Sequence, residues 1–236
     1  MSARLTTRKL ALLDIGQSRP SIPLDTDFAA LVPRGWTINT ISPLDAYAAA
    51  SLATLFAPQG NEMPLRSCAS TGDDFLASHA KLTPELQLAL SIAVDQGADA
   101  AIVTCTTDFE LVLPETSQIK LILPGRELAS AAPRRGWKVG ERIVVVCPVD
   151  GQLQPLAERW RARVPPGVDV QSIRIAPSEG LDKWTDVAKS IKGNGVTLVI
   201  LDCFGYSLEQ GRRIEAEGLE VLGVKGVVLE GLEQVF

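Results

Sequence analysis

The sequence predicts an α/β protein of two similar lobes, each a mostly parallel sheet flanked by helices, related by a pseudo-twofold axis. Three observations carry this. Short apolar runs rich in β-branched residues recur, such as Ala100-Ala101-Ile102-Val103 and Thr197-Leu198-Val199-Ile200-Leu201. Runs of that length and composition are the mark of strands buried on both faces, as parallel strands are. Helix-like stretches ending in glycine separate them, the alternation that crossover connections produce. The layout also repeats. Each half has an opening strand, a polar loop, a second strand, a helix, and a strand that ends at a cysteine. The landmarks are Leu10, Trp36, Pro84 and Cys105 in the first half, and Arg142, Asp169, Asp182 and Cys203 in the second.

Taken in order, strands are expected at 10–15, 36–41, 100–104, 119–123, 142–147, 169–175, 196–201 and 219–224. A helix over 84–96 follows Thr83, with Pro84 at its first position and Gly97 as its stop. Helices over 152–162, 182–192 and 207–217 behave similarly, and Gly193 and Gly218 end two of them. Residues 63–80 break the rhythm. There Thr71-Gly72-Asp73-Asp74 reads as a turn between two short segments, hence a β-hairpin insertion. The expected division is residues 1–118 as the first lobe and 119–218 as the second, with 219–236 a tail returning to the first.

A chain of 236 residues, 46% hydrophobic, can bury a large core. Its mean hydropathy of +0.14 suits buried parallel strands. No apolar run approaches the ~20 residues that cross a bilayer, so no membrane span is expected. The basic start, Met1-Ser2-Ala3-Arg4, runs into an apolar stretch that Asp14 cuts short. That is too brief for a secretory signal, and the expectation is a frayed N-terminus on a cytoplasmic protein. With a net charge of −5 and no basic block, nucleic acid is not an expected partner. Four dispersed cysteines and one histidine do not match a standard zinc site or a disulfide framework. No metal and no cofactor are implied. Self-association into a homo-oligomer is left open.

Cys105 and Cys203 sit just past the ends of equivalent strands, where folds of this class bind ligands. Thr104, Thr106 and Thr107 surround Cys105 with hydroxyls and amides that suit a carboxylate or an enolate. Cys203 is followed by Phe204-Gly205-Tyr206. There Gly205 permits close approach of a ligand, and Ser207 can cap the next helix. By the same strand-end rule Gln17, Ser18 and Arg19 reach the cleft, and Arg19 can grip a carboxylate with two hydrogen bonds. Gln152 is the equivalent polar residue of the second half. Cys68 and Cys147 read as packing residues. His79 reads as a surface residue, although any histidine-dependent triad would have to use it. Arg66 and Lys81 flank the hairpin as ordinary solvated charges or as a cationic lid.

Several stretches together resemble the AroM family of bacterial proteins. These are Ala11-Leu12-Leu13-Asp14-Ile15-Gly16-Gln17-Ser18-Arg19-Pro20, the segment 65–82, Pro148-Val149-Asp150-Gly151-Gln152, and Val199-Ile200-Leu201-Asp202-Cys203-Phe204-Gly205-Tyr206. That pattern is similar in turn to the aspartate/glutamate racemase superfamily. The resemblance implies two α/β lobes about a pseudo-twofold, with one cysteine from each facing the substrate; Cys105 and Cys203 match those positions. Phe204-Gly205 stand where amino-acid racemases carry Thr-His, so an amino-acid substrate is not implied.

The function expected is a cofactor-independent isomerase or racemase acting on a small anionic or carbonyl substrate, with Cys105 and Cys203 as the acid/base pair. Gln17, Ser18, Arg19, Thr104, Thr106, Thr107, Gln152, Gly205 and Tyr206 are the expected substrate contacts. Two other readings stand beside it. One is a single-cysteine lyase, decarboxylase or cis-trans isomerase; the other is a binding protein without catalysis.

Overall fold

The computed structural model describes residues 7–19 and 26–235. The basic opening segment and Pro20 lie outside the described residues. The first half carries β1 (Arg8–Leu13), the one-turn α1 (Thr26–Ala29), β2 (Trp36–Ile41), the one-turn α2 (Leu52–Leu55), β3 (Leu65–Cys68), β4 (Asp74–Ala77), α3 (His79–Asp95), β5 (Ala100–Val103) and β6 (Lys120–Ile122). Then come α4 (Pro124–Arg134), β7 (Arg142–Cys147), α5 (Leu153–Arg161), β8 (Asp169–Arg174), α6 (Leu181–Gly193), β9 (Leu198–Leu201), α7 (Leu208–Glu215), β10 (Glu220–Gly223) and α8 (Val224–Val235).

Two four-stranded parallel sheets result, ordered β2-β1-β5-β6 and β10-β9-β7-β8. Each is flanked by helices. The strand period of two explains why the central strands are apolar throughout. In β1, Ala11 and Leu13 pack with α3 residues such as Leu86 and Leu90, while Leu10 and Leu12 pack on the other face with Val224, Val228 and Leu232 of α8. In β7, Ile143, Val145 and Cys147 face Leu128 of α4 and Trp160 of α5, while Val144 and Val146 face Trp184 of α6. The lobes therefore exchange helices. α4 follows the last strand of the first sheet and covers the second; α8 follows the last strand of the second and covers the first. The two exchanged helices also pack on each other.

This exchange revises the expected boundaries. Lys120–Ile122 pairs with β5, so this strand closes the first sheet instead of opening the second lobe at 119. Glu220–Gly223 pairs with β9 as an edge strand of the second sheet, so of the segment 219–236 it is α8 that packs on the first lobe. The hairpin of residues 63–80 is present as the antiparallel pair β3 and β4. α3 starts five residues before Pro84. The Ser78 side chain accepts the Lys81 N–H at 3.2 Å, and Glu62 accepts the Ser78 hydroxyl and the Ala80 N–H, so two side chains hold a helix start that precedes the proline. Gly97 and Gly218 turn the chain after α3 and α7 with φ of 67° and 80°, in the left-handed region that glycine tolerates. Among the described residues no helix is long and apolar enough to cross a membrane.

Ser207 forms a capping box at α7, directly behind the Cys203 loop. The Gln210 N–H donates to its hydroxyl at 3.1 Å, and the Ser207 N–H donates to the Gln210 side chain at 2.9 Å. Ser207→Ala is expected to lower stability by about 1 kcal/mol, read as a drop in the urea midpoint at constant slope. An unchanged midpoint would mean that Gln210 alone holds the helix start.

Candidate active site

All the strand ends that matter open onto one cleft of about 80 Å³ between the lobes. Its lining comes from the loops after β1, β5, β7 and β9 and from hairpin strand β3. These are the carboxyl ends of parallel strands, where backbone amides are free to meet a ligand. The hairpin is locked to the first loop by Ser67 Oγ donating to the Ile15 carbonyl at 2.6 Å and the Gln17 N–H donating to the Cys68 carbonyl at 3.0 Å. The lobes are tied across the cleft by Thr106 Oγ1 donating to the Asp202 carbonyl and Gln152 Nε2 donating to the Pro64 carbonyl.

Cys105 and Cys203 both line this cleft, and their loops have the same local geometry. The Thr107 N–H donates to Cys105 Sγ at 3.4 Å, and the Gly205 N–H donates to Cys203 Sγ at 3.4 Å. Each sulfur thus accepts the amide two residues ahead, an arrangement that favours negative charge on sulfur. Enclosure opposes it. Burial raises Cys105 above the ordinary thiol range, against the pull of the Thr107 amide and hydroxyl and of Arg159. Burial likewise pushes Cys203 up to about 12, with the Gly205 amide opposing and the neighbouring Cys105 adding to the rise. At neutral pH both groups are therefore thiols. Cys105 has more groups working to ionise it.

The remaining expected contacts divide. Arg19, Thr104, Thr106, Thr107, Gln152 and Gly205 line the cleft. Gln17 also lines it, but its amide is spent within the protein. Its Nε2 donates to the Leu44 and Tyr47 carbonyls, and its Oε1 accepts the Ser70 N–H. Ser18 is not part of the lining. Its N–H donates to Asp45 and its side chain is exposed. Tyr206 is also absent from the lining. It packs edge-on against Trp184, its hydroxyl donates to the Ile175 carbonyl, and it faces a separate hollow behind the Cys203 loop.

His79 stacks on Phe109 and bonds the Asp108 carbonyl, outside the cleft lining. Cys147 is buried in the second lobe, pushed by burial up to about 11. Of the two hairpin cations, Arg66 lines the cleft, paired to Asp74 at 2.6 Å, while Lys81 donates to the Leu55 carbonyl elsewhere.

Among the lining residues to which sequence reasoning gave no chemical role are Cys68, Asp14 and Asp202. Asp14 accepts Thr104 Oγ1 at 3.0 Å and the Gly16 N–H at 3.1 Å, fastening the first-lobe thiol loop to β1. Asp202 Oδ2 accepts the Trp160 indole N–H at 2.6 Å and the Arg159 guanidinium. Its Oδ1 is buried without a partner among the described residues. A buried acceptor left unpaired costs about 1–3 kcal/mol. Arg19 Nε is a buried donor without a partner in the same lining. The signal for the two aspartates was a charged residue directly after an apolar strand run, as in Leu13-Asp14 and Leu201-Asp202.

The family described as AroM protein matches residues 10–235. The chain belongs to the AroM family. AroM is here a two-lobed α/β fold shared with solved racemases. Allantoin racemase from Klebsiella pneumoniae superposes with a TM-score of 0.61 at 10% identity, covering 97% of this chain and 87% of that one. Glutamate racemase from Francisella tularensis, solved with D-glutamate, gives a TM-score of 0.56 at 12% identity, over 98% and 81% of the chains. An arylmalonate decarboxylase gives 0.51 at 13% identity, over 96% and 91%. At such identities the likeness establishes the fold. No curated protein matches the chain by sequence.

Proposed function

We propose that this AroM protein is a cofactor-independent racemase or isomerase of a small carboxylate or related carbonyl compound, with Cys105 and Cys203 as its acid/base pair. The observation that carries the reading is the matched pair of thiol loops. Two sulfurs at equivalent strand ends of two lobes, each cradled by its i+2 amide at 3.4 Å, line one narrow cleft. One thiolate removes a proton from the carbon beside the carbonyl, and the opposite thiol returns one from the other face. The substrate carbon inverts without the substrate turning over. The Thr106 amide and the Thr107 hydroxyl are the donors offered to the enolate-like intermediate, whose stabilisation by preset donors is the main electrostatic demand of such chemistry, while the Thr104 and Thr106 hydroxyls are held by Asp14 and by the Asp202 carbonyl. Arg19 and Arg66 supply positive charge for the carboxylate. The racemases that share the fold support the reaction class; the substrate is this chain's own.

The test is solvent deuterium exchange, followed by proton NMR, into chiral carboxylates of three to five carbons and into hydantoins. The expected result is loss of the proton beside the carbonyl together with loss of optical activity for one compound class. Ligand binding without exchange in any compound would replace the proposal with the binding-protein reading.

A further inference from the structure

The two cleft thiols belong to different lobes, so the gap between their sulfurs depends on how the lobes are held. The residue that follows each cysteine crosses that boundary. Thr106, after Cys105, donates its hydroxyl to the Asp202 carbonyl of the second lobe at 3.2 Å. Phe204, after Cys203, is 1% exposed and packs in the apolar cluster built on the first sheet, with Leu10 and Leu12 of β1, Ile102 of β5 and Phe28, whose ring centroid lies 5.4 Å away. The two loops therefore match at two positions. The residue two ahead gives its N–H to the sulfur, and the residue one ahead is buried against the other lobe.

The polar arm of this crossing is held at both ends. The Asp202 carbonyl is part of the peptide bond that carries Cys203, and Thr106 is its hydrogen-bond donor. The second lobe fixes Asp202 by other groups: its N–H donates to the Val146 carbonyl at 3.1 Å, and its Oδ2 accepts from Trp160 and Arg159. At the other end, the Thr106 carbonyl is part of the peptide whose N–H, that of Thr107, meets Cys105 Sγ. The first turn of α4 leaves that peptide no room to retreat, since a β-carbon on Gly125 would stand 2.0 Å from the Thr106 oxygen. One threonine thus joins the peptide that holds one sulfur to the peptide that carries the other.

Resting on the reading of the cleft as a two-thiol site, we infer that the Thr106 hydroxyl and the Phe204 ring are positioning groups, a crossed brace that sets the gap between Cys105 and Cys203. They act through the two sulfurs and not on the substrate. Inversion needs both thiols placed about one carbon at once, and a misplacement of about 1 Å can cost about 10²-fold. Proton exchange on one face needs only one thiol. Loosening the brace therefore uncouples inversion from exchange.

Thr106→Val keeps the shape of the side chain and removes the donor, leaving the Asp202 carbonyl buried and unpaired. Thr106→Ser keeps the donor. The first readout needs no substrate: the rates at which iodoacetamide alkylates Cys105, Cys203 and Cys147, resolved by peptide mass spectrometry. Cys147 is buried in the second-lobe core and reports general opening. Thr106→Val is expected to raise the Cys203 rate, 97 residues away in the chain, by about fivefold or more relative to Cys147. Thr106→Ser should keep the wild-type ratio. An unchanged Cys203 rate, a rise shared equally by Cys147, or the same rise in Thr106→Ser would each overturn the brace. If Thr106→Val does not fold, Phe204→Leu decides, read at Cys105: a rise relative to Cys147 supports the brace, and none overturns it. The second readout uses the compound that exchanges in deuterium oxide. Thr106→Val is expected to lower the ratio of optical inversion to proton exchange about tenfold, with Thr106→Ser restoring it. Partial unfolding lowers both rates together and leaves that ratio alone, so an unchanged ratio would overturn the positioning role. If no compound exchanges, the two-thiol reading fails, and the alkylation rates alone decide whether Thr106 and Phe204 brace the cleft.

Discussion

Cys203→Ser is expected to reduce turnover by about 10³-fold or more, since general acid–base groups contribute roughly 10²–10⁴-fold each and no neighbouring group can replace a thiol held in place by the Gly205 amide. Serine is close in shape but far less acidic, so the loss is chemical and not structural. Circular dichroism should show an unchanged fold. Cys105→Ser separates the mechanisms. In a two-base enzyme it stops interconversion while leaving one-sided deuterium exchange, because the remaining thiol still serves one face. In a single-cysteine enzyme built on Cys203 it leaves substantial activity. The pH dependence adds a second check. Both thiols are raised, so both are protonated at pH 7 and the base is a minor species. The thiolate fraction grows tenfold per pH unit below the pKa. With Cys105 raised above the ordinary thiol range by burial, kcat/KM should still be climbing with pH from pH 7 to pH 8. Cys203, pushed up to about 12, is almost wholly protonated across that range, so the one-sided exchange left in Cys105→Ser should be slow and should rise with pH throughout it. A profile that levels off below pH 8 would exclude the free Cys105 thiol as the group being titrated. Full activity in Cys203→Ser would end the thiol mechanism altogether.

The parts of this molecule that could be read from sequence share one physical trait: they depend on neighbours in the chain. A strand sandwiched between helix layers must be apolar on both faces. β5, β7 and β9 therefore stood out as continuous runs, and the cysteines after β5 and β9 were found with them. The Ser207 cap and the hairpin turn are equally local. What was missed is set across space. α4 has a weak signal of its own, with Pro124, Gly125 and Pro133 inside an eleven-residue helix; it is buried contact with the second lobe that holds α4. Ser18 and Tyr206 lie outside the cleft lining because position in a loop does not give side-chain direction, which packing around Gln17 and Trp184 decides. Asp202 was passed over because its environment comes from Arg159 and Trp160 on α5, more than forty residues away. An aspartate closing an apolar strand is legible as unusual; what it pairs with, and which oxygen is left over, is not.

Gly125→Ala tests the coupling of fold and site most severely. Gly125 lies in the first turn of α4, buried where that helix meets the first-lobe thiol loop. A β-carbon added there would stand 2.0 Å from the Thr106 carbonyl oxygen and 3.0 Å from its carbonyl carbon. Both obstacles are backbone, so no side-chain rotation relieves the clash. Either α4 retreats from the second-lobe core it covers, or the Thr106 peptide moves. Moving that peptide disturbs the Thr107 amide on Cys105 and the Thr106 hydroxyl on the Asp202 carbonyl together. Overpacking of this kind costs typically 1–3 kcal/mol and occasionally more, and about 3 kcal/mol or more is expected here because the obstacle is backbone on both sides. Activity should fall with stability, and Cys105 should become faster to alkylate as its loop loosens. The contrast is Gly226→Ala, the same chemical change on the exposed face of α8 with nothing within 4 Å of the added carbon. There the methyl group stiffens a helix without touching anything, and a gain of about 0.5–1 kcal/mol is expected. Thermal melts of the two variants should therefore move in opposite directions from the wild type. A Gly125→Ala protein that melts with the wild type and keeps its exchange activity would show that the α4 start does not bear on the thiol loop, and that the loop holds its shape through Asp14 and Thr104 alone.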